Sequence, residues 1–135
     1  MGAWGTGIFQ DDTALDFAVE LQEEDEPFDR MQVAFDEAAS AEYLEYDAAQ
    51  AALVGAAVLD AVLSGSPLSG AEDDLRAWVG GLDPEEARPL RASAAKACAR
   101  VLAPASELDE LWAENEEDYP AWREQVAQLA SRLAG

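Results

Sequence analysis

The chain has no histidine, one cysteine, and only eight lysine and arginine residues against 29 aspartates and glutamates. Each shortage removes a class of function. Without histidine there is no Ser-His-Asp triad, no Cys-His pair and no histidine-bearing metal site. Cys98 alone cannot form an internal disulfide, and on an apolar helical face it reads as a small core residue. No basic N-terminal region precedes an apolar run, so no signal peptide is expected. Both features fit a cytoplasmic protein. The shortage of bases leaves a net charge of −21, a field that repels nucleic-acid phosphates and anionic lipid heads and favours basic partners or cations. Neither nucleic acid nor membrane is therefore an expected partner.

Aromatic residues make up only 8% of the chain although half of it is hydrophobic, so alanine and leucine carry the apolar content, as in helical proteins. No alternating strand pattern of useful length and no internal repeat is present. What stands out is Ala48–Leu63, AAQAALVGAAVLDAVL, in which only Gln50 and Asp60 are polar. At about 100° per residue, Leu53, Val54, Val58, Leu59, Val62 and Leu63 spread over most of a helix circumference. A helix apolar nearly all round is buried on nearly all sides, so other helices should surround it. Its shortness, its alanine content and Asp60 argue against a membrane span. The expected fold is all-α: one domain over residues 1–135, a bundle of about six or seven helices around this buried Ala-rich helix.

The N-terminal arm, MGAWGTGIFQ, holds three glycines and the large apolar residues Trp4, Ile8 and Phe9. These should fold back onto the bundle, because water is a poor solvent for them. The glycine spacing does not match a dinucleotide fingerprint, and Asp11 and Asp12 at the helix entrance oppose phosphate binding. Asp11 or Asp12 should cap helix one, which runs to about Gln22 with a stripe of Ala14, Leu15, Ala18 and Leu21 and with Phe17 at its edge. Asp12, Asp16, Glu20 and Glu23 form one acidic face of that helix. Pro27 suits the first turn of the next helix, with Phe28, Met31, Phe35 and Ala38 inward. Ser40–Tyr46 reads as a connection, and Asp47 as the cap of the Ala-rich helix. Ser64–Ser69 is a break, after which Ser69-Gly-Ala-Glu72 forms a capping box for a short helix burying Leu75, Trp78 and Val79. Asp83-Pro-Glu-Glu86 is a second box, opening a helix to about Leu102 that turns Ala87, Leu90, Ala94, Ala97, Cys98 and Val101 inward. Its bases, Arg88, Arg91, Lys96 and Arg100, lie on the opposite half and should meet an acidic face, that of helix one. Pro104 stops it. Ser106 with Asp109 starts the next helix, and Tyr119–Pro120 the last, striped by Trp122, Val126, Leu129 and Leu133.

Candidate chemistry is limited to carboxylates. Ser93-Ala-Ala-Lys96 matches the S-x-x-K pattern of serine acyltransferases, but the S-D-N and K-T-G elements of that mechanism are missing. Asp11, Asp12 and Asp16 cluster at one helix start, and Glu42, Glu45 and Asp47 precede another. Paired carboxylates can divide acid and base roles or hold a divalent cation through oxygen. No cofactor is called for, and no pattern specifies an oligomeric state. The favoured reading is a non-catalytic acidic binding protein that engages a basic partner, with Trp4, Asp11, Asp12, Asp16, Glu20 and Glu23 as candidate binding residues. The alternative is a metal-binding protein or enzyme that uses Asp11, Asp12 and Asp16.

The opening MGAWGTGIFQDDTALDF, then Glu42-Tyr-Leu-Glu45, then Ser106-Glu-Leu-Asp-Glu-Leu-Trp112 resemble an uncharacterised family of small bacterial proteins, domain of unknown function family 4259. Its members begin with G-x-W-G-x-G-x-F-x-[ND]-D-x-A-x-D-[WF]. Gly2, Trp4, Gly5, Gly7, Phe9, Asp11, Asp12, Ala14, Asp16 and Phe17 fill that pattern here. The resemblance implies a bacterial, cytoplasmic protein. It carries no assigned activity, ligand or catalytic residue.

Overall fold

The computed structural model describes residues 7–65, 68 and 71–134. In chain order its helices are α1 (Asp12–Glu23), α2 (Pro27–Ser40), α3 (Tyr46–Ser64), α4 (Asp73–Gly80), α5 (Pro84–Ala87), α6 (Arg91–Val101), α7 (Glu107–Ala113) and α8 (Tyr119–Ala134). A 3-10 turn at Arg88–Leu90 joins α5 to α6, so the described residues form an all-α bundle of seven rods. The only backbone pairing of strand type among them is an isolated parallel bridge, Leu44 with Ser106.

The Ala-rich helix α3 is the axis of the bundle and touches every other α-helix. Ala49–Leu59 is buried apart from half-buried Ala51. By length and composition Tyr46–Ser64 is apolar enough to cross a bilayer, longer than the Ala48–Leu63 stretch suggests; 67% of its apolar window is packed inside the bundle. Alanine lets neighbouring backbones approach closely, and Gly55 carries this furthest. A Cβ there would sit 3.1 Å from Cε1 of fully buried Phe35 on α2. Gly65 ends α3 in the left-handed conformation (φ 73°), which only glycine adopts freely, and donates its N–H to Ala61 O at 2.9 Å.

The arm enters through a turn in which Gln10 N–H bonds Gly7 O at 3.0 Å, and it buries Ile8 and Phe9 in the common core. Trp4, expected beside them, lies outside the described residues. Asp11 caps α1 by accepting the Ala14 N–H at 3.0 Å. The inner face of α1 is rotated from the expected one. Phe17 is buried beneath the Arg30 guanidinium, 4.9 Å from the ring centroid, and Leu15 is only half-buried. Pro27 opens α2 as expected, with Met31, Ala34, Phe35 and Ala38 buried.

Three expectations are corrected. Asp47 does not cap α3; Glu45 is the cap residue, and the Tyr46 N–H is taken at 2.7 Å by Oε1 of Glu107, 61 residues away on α7. The short helix α4 begins at Asp73 with Glu72 as cap residue, not at the Ser69 box, of which Ser69 and Gly70 lie outside the described residues. Leu68 and Ala71 are spent anchoring the approach, and Arg76 Nε ties back to Leu68 O at 3.1 Å. The Asp83 helix is capped by its own carboxylate, which accepts Glu85 N–H at 2.9 Å. It is not continuous, however, because Pro89 has no N–H to give and the chain tightens into the 3-10 turn. Ser106 starts α7 as expected, as its cap residue, although its hydroxyl is buried with no hydrogen-bond partner among the described residues. Leu44 donates to Ala105 O and accepts from Glu107 N–H, each at 2.8 Å, which holds Ser106 extended.

The basic side of α5–α6 does not meet α1 either. α6 packs on α8, α2 and α3. Arg88 pairs with Glu85 in its own turn, and Arg91 donates to Arg132 O at 3.2 Å. Arg100 donates to the carbonyls of Ala41, Glu42, Pro104 and Ala105 at 3.0–3.3 Å, clamping the α2–α3 and α6–α7 connections together. One of those carbonyls belongs to Ala105, which adopts a left-handed φ of 62°. That conformation costs a non-glycine residue on the order of 1 kcal/mol.

Candidate functional site

α1, α2 and the start of α3 enclose an open cleft of about 500 Å³. Five carboxylates line it: Asp16 and Glu20 from α1, Glu37 from α2, and Glu45 and Asp47 from the entrance to α3. One base stands among them. Arg30 lies over Phe17, with Nε 3.8 Å from Glu20 Oε1, and its Nη1 is buried without a hydrogen-bond partner among the described residues. Helical spacing puts Asp16 and Glu20 one turn apart on the same face. Glu45 and Asp47 arrive because α3 packs against α1 and α2.

Of the candidate binding residues, Asp12, Asp16, Glu20 and Glu23 are all exposed along α1, and Trp4 lies outside the described residues. Asp11 behaves differently. It is 2% exposed, and its second carboxylate oxygen accepts the Tyr46 hydroxyl at the head of α3. Burial, and then this bond, push Tyr46 up to about 12. Asp11, Asp12 and Asp16 are therefore not brought together. The first is committed to a cap and a tyrosine, Asp12 is exposed on the surface, and Asp16 is exposed in the α1–α2–α3 cleft. Among the described residues no group of three Cys, Asp or Glu side chains could hold a metal ion. Glu37 was not singled out in the sequence; the available signal was its place two helical turns after Arg30, on the same side of α2.

The other residues that could carry chemistry lie outside the cleft. Ser93 Oγ accepts from Gln32 Nε2 at 3.1 Å, and Lys96 is exposed. Cys98 is buried, and desolvation pushes its thiol up to about 12, so little thiolate forms near neutral pH. Asp109 on α7 is held by Arg123 at 2.8 Å and by the Tyr119 hydroxyl at 3.0 Å, beside the stacked Trp112 and Trp122 rings. A second cavity, of about 340 Å³ beneath Ile8 and Phe9, has the Asp60–Arg132 ion pair in its wall. What the first cleft offers is electrostatic: carboxylates around one open cleft that attract a cationic group, with one guanidinium limiting where it can sit.

Fold and cleft together define an acidic all-α bundle. The chain belongs to the family described as domain of unknown function (DUF4259), whose model matches residues 2–125 of the 135. No curated protein and no solved structure matches it.

Proposed function

We propose that this is a non-catalytic binding protein whose acidic N-terminal half engages a basic partner, with the α1–α2–α3 cleft receiving a lysine or arginine side chain. One observation carries the reading: five carboxylates from three separate helices share one cleft with a single base. The surrounding field reinforces it, since Met1–Leu75 carries 18 acids and one base, a net charge of −17. Fields of opposite sign accelerate association with a basic protein surface. The setting we propose is the bacterial cytoplasm, where reducing conditions suit a lone buried thiol. The competing explanation, carboxylates kept for solubility alone, does not require them to share a cleft. The test is to convert Asp16, Glu20, Glu45 and Asp47 to Asn and Gln and to compare capture of proteins from native lysate at low and physiological salt. Loss of a basic captured protein, with an unchanged helical spectrum, supports the proposal. Equal capture by the variant, or retention of DNA or RNA by the wild type at physiological ionic strength, overturns it.

A further inference from the structure

Between α1 and α4 runs a shallow groove whose base is core: Ala18 and Leu75 are buried, Leu15 is half-buried, and Val19 stands exposed at its lip. Leu15, Ala18, Val19 and Gln22 follow at i, i+3, i+4 and i+7, and with Leu75 of α4 they line this groove of about 330 Å³ between the two helices. Val19 is 54% exposed, the most exposed of the large hydrophobic side chains described. A valine on a helix surface is ordinary by itself. Here it lies in a concave seam whose remaining walls are Glu23, Glu72 and Asp74, with no base in the lining among the described residues. An apolar floor with an acidic rim is complementary to one kind of segment: an amphipathic helix with an aliphatic stripe flanked by lysine or arginine.

We infer that the α1–α4 groove docks a basic amphipathic helix of the partner protein. The inference rests on the binding reading above and deepens it by naming the partner's docking element. A helix is the fitting occupant because the seam runs between two helices, the geometry of helix-in-groove recognition. No strand among the described residues offers an edge to an extended peptide. From Leu15 to Gln22 the floor is about 10 Å long, two turns of a guest helix. It therefore takes two or three aliphatic side chains. The rim carboxylates meet the guest's flanking bases and also exclude acidic helices, for which the seam would otherwise be an adhesive surface.

Two synthetic peptides of equal composition test this. In one, leucines form a single helical stripe on a lysine face; in the other, the same residues are scrambled so that no stripe exists. Binding to the full chain is followed by fluorescence anisotropy at low and physiological salt, and the site is located by amide chemical shifts. The striped peptide should bind at least tenfold more tightly than the scrambled one, with shifts concentrated at residues 15–23 and 72–75. Val19→Gln should remove that difference, leave binding of the scrambled peptide unchanged and leave the circular dichroism unaltered; Val19→Leu should preserve it. Equal binding of both peptides, with shifts confined to the carboxylates of the α1–α2–α3 cleft, overturns the groove and leaves the binding reading standing. Failure of both peptides to bind at low salt overturns the two together. A concentration-dependent dimer that Val19→Gln abolishes would assign the groove to a second copy of this chain and overturn the inference.

Discussion

The contact between Asp11 and Tyr46 ties the start of α1 to the start of α3, and its removal should have a defined size. One carboxylate oxygen accepts Ala14 N–H at 3.0 Å and the other accepts the Tyr46 hydroxyl, with Asp11 almost fully enclosed. Tyr46→Phe removes one donor and leaves a buried carboxylate short of a partner, which costs about 1–3 kcal/mol. Because Tyr46 is itself half-buried, water reaches part of the site and about 2 kcal/mol is the expected loss. For a chain of this length that is a fall of about 7 °C in melting temperature. Asp11→Ala loses the helix cap as well as the tyrosine's acceptor and should cost about 3 kcal/mol. Asp11→Asn keeps one oxygen for the Ala14 N–H and turns an NH2 toward the Tyr46 hydroxyl, which must then accept instead of donate. It should therefore cost less than Asp11→Ala, about 1 kcal/mol. The double variant Asp11→Ala/Tyr46→Phe should fall short of additivity by about 1 kcal/mol or more, since each single change already breaks the shared bond. Urea and thermal unfolding followed at 222 nm measure all four. Tyr46→Phe within about 0.5 kcal/mol of wild type, or strict additivity in the cycle, would refute the reasoning.

Two further outcomes follow from other contacts. Arg100→Ala should cost about 2 kcal/mol in urea unfolding, because four carbonyls on two connections lose one donor. Arg100→Lys should recover little of this, since an ammonium cannot reproduce the fork; full recovery would show that charge alone suffices. At alkaline pH, Cys98 and Tyr46 are both pushed up to about 12 from ordinary values of 9.0 and 10.0, chiefly by burial. The folded chain holds these protons more tightly than the unfolded one, so their stabilisation is complete below about pH 9 and lost as pH rises toward 12. Denaturant midpoints should fall across that window and fall less in Tyr46→Phe; a flat or rising profile would contradict the assignment.

What the sequence determined by itself are the features that depend on neighbours within about four residues. Pro27, Pro84 and Pro120 sit at helix starts because a fixed φ and a missing N–H are harmless there. The nearly featureless apolar run of α3 requires burial on all sides, and the i, i+4, i+7 repeat of α8 requires burial on one. The opening motif identified the family. Caps were less legible: Asp11 and Asp83 act as their local patterns imply and Ser106 starts α7, whereas Asp47 does not cap α3. Glu107 supplies the α3 cap from 61 residues away, and no local window contains that information. The cleft was half visible for the same reason. Asp16 and Glu20 are linked by helical periodicity, but Glu37, Glu45 and Asp47 join them only because three helices pack as they do. The bases of α6 show the limit most clearly. Sequence placed them on one side of a helix, while tertiary packing chose their partners and gave Arg100 backbone carbonyls instead of an acidic helix. Torsional preference and periodicity are properties of a short segment; which side chain meets which is decided by how rigid segments share one core.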